Sequence, residues 1–170
     1  MAWNPVPDKS AGDQFTEAMW DDYIKSNLNA IGDAWTSYTP SLTNLTLGTG
    51  GTVNGYYVQA GKFVWVDIVA VLGSSGFSVS NNPEFGLPNS TTFAAHYTTN
   101  VSTVGQALVV DQVALSRYQG YVRVQSSSAV AVGLANVSGS YVATSGVTST
   151  VPFTWGAADE FHLHFWYQAA

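Results

Sequence analysis

The sequence predicts an all-β chain: an antiparallel β-sandwich or jelly-roll-like domain over residues 36–170, preceded over residues 1–35 by an extended arm and one short N-terminal α-helix. Three observations carry that expectation. From Leu42 onward, apolar residues recur with a period of two, in short runs separated by Gly, Asn, Pro and Ser clusters. Charge is divided unevenly, since eight of the sixteen charged residues lie in the first 35 positions and the other eight are spread over the rest. The 170 residues contain no Cys, so one domain with a sizeable core must be held by packing or assembly and not by disulfides or zinc-thiolate sites.

In the first segment, Trp3-Asn-Pro5-Val-Pro7 reads as an extended arm, because each Pro fixes its own φ and biases its predecessor away from helix. A helix is expected from about Glu17 to Ile31. Thr16 is its N-cap, Phe15 and Trp20 form a hydrophobic staple, and Gly32 stops it. Trp20, Ile24, Leu28 and Ile31 make one apolar stripe, with Asp21, Asp22 and Lys25 elsewhere. That stripe either lies on the β-domain of its own chain or docks on a partner. With Trp3 it forms the candidate anchor.

Strands are expected at residues 42–47, 56–58, 62–72, 108–115, 121–125, 129–134 and 161–167. Gln59-Ala60-Gly61-Lys62 is a tight-turn candidate, because Gly61 takes positive φ without steric cost. In residues 62–72, Val64, Val66, Ile68, Ala70 and Leu72 fill one face, while Phe63, Trp65, Val69 and Val71 dominate the other. Both faces favour burial. An antiparallel sheet usually leaves one face wet, so the second face points either to another subunit or to cover by the N-terminal segment. Phe63, Trp65, Val69 and Val71 are the candidate subunit interface.

The net charge of −6 has the wrong sign for nucleic-acid phosphates or an anionic bilayer. No apolar run reaches membrane-spanning length, and Met1 to Ser10 does not form a signal peptide, so synthesis without export is expected. Asn44, Asn89, Asn100 and Asn136 head sequons that read as turn and strand chemistry. Gly48-Thr-Gly50-Gly51-Thr52 lacks the Lys of a phosphate loop, and Gly73-Ser-Ser-Gly76 is no nucleophile elbow. No cofactor pattern and no catalytic set is found. Asp21-Asp22 and Asp159-Glu160 read as solvated charges, and Asp67 as a carboxylate needing Arg117 or Arg123. His162 and His164 share one strand face and are the candidate metal ligands, with His96 as a third. A satisfied structural role is the stronger expectation. Tyr56, Tyr57, Trp65, Tyr118, Tyr121, Trp155 and Trp166 supply either core and interface area or a sugar-stacking platform.

Trp35-Thr-Ser-Tyr-Thr-Pro-Ser-Leu-Thr-Asn-Leu-Thr-Leu-Gly-Thr-Gly-Gly51, followed by Tyr57-Val-Gln-Ala-Gly-Lys62, resembles the opening of a β-domain of bacteriophage virion proteins. Minor tail and head-surface proteins of phages of actinobacteria carry it. The resemblance implies a non-enzymatic structural protein, commonly a homotrimer, made in the bacterial cytoplasm and placed on the virion surface. Its partners would be further copies of itself, the major capsid or tail protein and a host surface glycan. The chain has no long repeat or heptad shaft, which favours a capsid decoration protein over a minor tail or fibre receptor-binding protein. A carbohydrate-binding module is the alternative from a different class.

Overall fold

The computed structural model describes residues 12, 14, 16–26, 28–29, 35–138 and 141–170. Thr16 caps the helix as expected, its Oγ1 accepting from Met19 N at 3.3 Å. The helix α1 (Glu17–Met19) widens into a π-helical stretch, Trp20–Lys25, in which Ser26 N reaches back five residues to Asp21 O. Lys25 pairs with Asp21 at 3.2 Å.

Ten strands follow among the described residues: β1 (Thr36–Tyr38), β2 (Leu42–Thr46), β3 (Thr52–Ala60), β4 (Phe63–Val71), β5 (Ser78–Gly86), β6 (Thr103–Asp111), β7 (Ser116–Ser126), β8 (Ala129–Ser138), β9 (Tyr141–Gly146) and β10 (Glu160–Gln168). They form one antiparallel sheet in the order β1-β3-β4-β10-β6-β7-β8-β5-β2, with β9 sharing the outer edge of β8. β1 and β2 stand at opposite ends of that order, yet only Thr39-Pro40-Ser41 lies between them. Four Cα steps span at most about 14 Å, so the sheet must curl until its ends nearly meet. Tyr38 completes the closure. Its hydroxyl donates to Gly86 O at 3.4 Å, and Gly86 N donates to Ser41 O. Its ring lies over Gly55, where a Cβ would come within 2.4 Å of Cε1, so only glycine admits it.

Curling places the two halves of the sheet face to face around one core, an all-β, sandwich-like fold as the period-two pattern predicts. Phe85 on β5 and Phe161 on β10 are four places apart in the strand order, yet their rings meet with centroids 5.8 Å apart. Val64, Val66, Ile68, Ala70 and Leu72 are all buried, as are Phe161, Leu163, Phe165 and Tyr167 on β10. Trp155, from the segment before β10, stacks on Phe161 at 4.7 Å and closes one part of the core.

The β3–β4 turn falls at Gly61-Lys62, with Gly61 at φ 61° and Ala60 paired to Phe63. Three strands are absent from the sequence expectation: β1, β5 and β9. In β5, Asn81-Asn82-Pro83 has the composition of a turn, but Asn82 at φ 52° and Asn44 at φ 60° bulge the β2–β5 pair without ending it. Asn44 Nδ2 donates to Asn81 O across the bulge. The expected strand 108–115 stops earlier, at Asp111, whose Oδ1 accepts from Val113 N and Ala114 N and folds the chain into a turn.

Candidate functional site: the outer face of the sheet

Strand alternation places the odd-numbered positions of β4 and the even-numbered positions of β10 on the outer face. Register then sets three rows beside one another: Val58, Trp65 and Trp166; Tyr56, Asp67, His164, Gln106 and Tyr121; and Asn54, Val69, His162, Leu108 and Gln119. An aromatic row thus borders two polar ones.

The four residues expected at a subunit interface lie along β4, between β3 and β10. Phe63, Trp65 and Val69 are 37%, 41% and 36% exposed, and Val71 is half-buried. Phe63 and Trp65 pack edge to face at 4.4 Å. This ridge is exposed to that extent, so the described part of the chain does not bury it.

His162 and His164 share the outer face as expected, and each is engaged by a carboxylate. His164 Nδ1 bonds Asp67 Oδ1, and His162 Nε2 lies 2.6 Å from Glu160 Oε2. The hydrogen bond from His162 holds the Glu160 carboxyl below the usual carboxylate range, against an opposing effect of burial, and Gln112 Nε2 adds a donor at 2.7 Å. Among the described residues, no three metal-ligating groups converge. His96 instead lies beside Tyr97, in the loop before β6.

Two readings of the acidic residues need correction. Asp67 is half-exposed, and its partner is His164, not Arg117 or Arg123. Arg123 instead binds Asn100 Oδ1 and Asn82 Oδ1. Asp159 is not a solvated charge. It is 1% exposed, with Oδ1 accepting from Gln112 N at 3.0 Å and Oδ2 from Gly156 N at 2.6 Å. Backbone donors satisfy it in place of a cation, and it ties the β6–β7 turn to the loop leading into β10.

Between the rows lies an open concavity of about 820 Å³, lined by Asp67, Val69, Gln106, Leu108, Gln119, His162 and His164 among others. Sequence reasoning missed Gln106, Leu108 and Gln119, because only the β10–β6–β7 register brings them to the histidines. Of the expected anchor, Trp20 and Leu28 are exposed and Ile24 is half-buried, whereas Trp3 and Ile31 lie outside the described residues. Among the described residues, no helix is long and apolar enough to cross a membrane.

A second polar cluster joins β3 and β10 to the segment after β5. Tyr167 OH and Thr91 Oγ1 are 2.5 Å apart, and Asn89 Nδ2 donates to Tyr57 OH. Burial pushes the Tyr167 phenol up to about 12 and the Tyr38 phenol higher still. Both hydroxyls are engaged within the chain, that of Tyr38 with Gly86 O and that of Tyr167 with Thr91 Oγ1.

Compared with known protein families, curated proteins and solved structures, the chain matches none.

Proposed function

We propose that this chain is a non-enzymatic bacteriophage virion structural protein, a homotrimeric capsid decoration protein carried on the head surface. The observation that carries the reading is the exposed ridge of Phe63, Trp65 and Val69, continued by Val71. A core-forming strand has no need of an apolar outer face, and a second copy of the chain would bury this one. The resemblance over Trp35–Gly51 and Tyr57–Lys62 supplies the virion context. On this reading Trp3 and the Trp20, Ile24, Leu28 and Ile31 stripe attach the β-domain to the major capsid or tail protein. The net charge of −6 argues against nucleic acid as the partner.

Immuno-gold labelling of intact virions with antibody against the chain tests the placement. Label on heads is expected. Label at tail tips would replace decoration with the tail or fibre receptor-binding reading, which the concavity beside Gln106 and Gln119 favours. Virions without label would overturn both. Deleting residues 1–34 is expected to leave a cooperative thermal transition and β-type circular dichroism while abolishing co-sedimentation with undecorated particles.

A further inference from the structure

The outer face of β10, β6 and β7, bordered on β4 by Asp67 and Val69, carries an arrangement distinct from the aromatic end of the β4 ridge at Phe63 and Trp65. A second, smaller concavity of about 250 Å³ is lined by Tyr97, Thr103, Val104, Gly105, Gln106 and Trp166. Gln106 lines both concavities. They therefore form one groove crossing β6, with Trp166, 44% exposed, standing on its β10 side. Tyr121 is the register partner of Gln106 on β7 and would be expected to fill this space. Its ring lies instead over Gly133 on β8, where a Cβ would sit 2.3 Å from its Cζ. The missing side chain at Gly133 lets Tyr121 fold away, and the groove stays open above Gly120.

We propose that this groove binds a neutral oligosaccharide. Neither concavity is lined by Lys or Arg, and the chain is strongly acidic, so a phosphorylated, sulfated or sialylated ligand would be repelled. The carboxylate that lines the groove, Asp67, already has His164 as a hydrogen-bond partner. What remains is amphoteric. The carboxamides of Gln106 and Gln119 each offer donor and acceptor atoms, matching hydroxyls that do both. Asp67 fixes the His164 ring through Nδ1, so Nε2 is the nitrogen presented to a ligand. Trp166 supplies a flat apolar surface for the C–H face of a pyranose, and Leu108 and Val69 give the apolar floor that such sites combine with a few placed polar groups. Two joined concavities on either side of Gln106 suit more than one sugar unit. The inference goes beyond the virion reading, and Val69 is the ridge side chain that the groove shares.

The full chain, applied to an array of neutral gluco-, galacto-, manno- and arabino-oligosaccharides with sialylated and sulfated glycans as comparators, tests this. Binding to at least one neutral oligosaccharide and to none of the charged ones is expected. By calorimetry on that oligosaccharide, Trp166→Ala and Gln106→Ala should each weaken affinity about tenfold. Both residues are on the outer face, so the melting temperature should hold. Should Trp166→Ala disturb folding, Gln106→Ala carries the test. Phe63→Ala, on the ridge and outside both concavities, should leave the affinity within about twofold. Failure of every neutral glycan to bind, preference for charged ones, or wild-type affinity in the Trp166→Ala/Gln106→Ala double variant would overturn the proposal. Light scattering on the same samples separates the two readings. A trimer that binds no glycan removes only the groove, and a monomer that binds one removes only the assembly.

Discussion

The inner and outer faces of β4 and β10 are built from overlapping residue types, yet only one of them is the core. Inside, Val64, Val66, Ile68 and Ala70 meet Phe161, Leu163, Phe165 and Tyr167 with almost no exposure. Outside, Phe63, Trp65 and Val69 stand beside His162, His164 and Trp166, and about two fifths of each large ring is in contact with solvent. The difference is one of uniformity. The inner set is apolar at every position and shares one closed volume with side chains from the opposite half of the sheet, such as Phe85. The outer set interrupts its apolar residues with Asp67, Glu160 and two imidazoles, whose hydrogen bonds tolerate water. Apolar residues on both faces of a strand therefore do not make both faces core, and the polar interruptions mark the face left outside it.

Substitutions can break this comparison, and the largest effect belongs to the inner face. Phe161→Ala removes the ring that stacks on Trp155 and meets Phe85 at a tilt, and is expected to cost about 3–5 kcal/mol in chemical denaturation. A cost near zero would show that the segment before β10 does not close the core. Asp159→Ala comes next, at about 1–3 kcal/mol, because Gln112 N and Gly156 N lose a buried acceptor. Amide exchange should quicken at those two positions.

Alkali probes the inner face without mutation. Tyr38 and Tyr167 have folded pKa values raised above the ordinary 10.0, the latter to about 12. Their neutral forms thus favour folding fully below pH 10, and this contribution is lost as pH rises from 10 through 12. Melting temperature should fall over that window, and Tyr167→Phe should blunt the fall.

The outer face should respond in the opposite way. Trp65→Ala is expected to change the folding stability of the chain by about 1 kcal/mol or less, chiefly through its edge-to-face contact with Phe63. In light scattering, the same variant should shift the species toward the mass of a single chain. A wild-type species of single-chain mass at micromolar concentration would remove the ridge as a subunit interface.

The smallest effect is expected at Glu160. Its folded pKa lies below the ordinary 4.5, chiefly through the His162 hydrogen bond, so its contribution is present above pH 4.5 and lost as pH falls through the folded value. The melting-temperature gap between the wild-type chain and Glu160→Gln should close on acidification below pH 4.5. A gap unchanged at pH 3 would show that the pair contributes nothing to folding.

Local pattern alone determined the all-β class, the burial of Val64, Val66, Ile68, Ala70 and Leu72, the positive φ of Gly61, the Thr16 cap and the shared face of His162 and His164. Each depends on the pleat or on hydrogen bonds within a few residues, which the covalent chain carries wherever it folds. Tertiary structure decided the rest. β5 survives Asn81-Asn82-Pro83 because β2 pairs with it on both sides of the bulge and β8 pairs with it after the bulge, and no local signal announces those neighbours. Asp67 meets His164 across 97 residues, in place of either Arg, and Gln106 and Gln119 come to the same surface only through the β10–β6–β7 register. Strand order and register arise from closing the sheet around one core. The identity of side chains that meet on its outer face is therefore a property of the closed sheet and not of any strand within it.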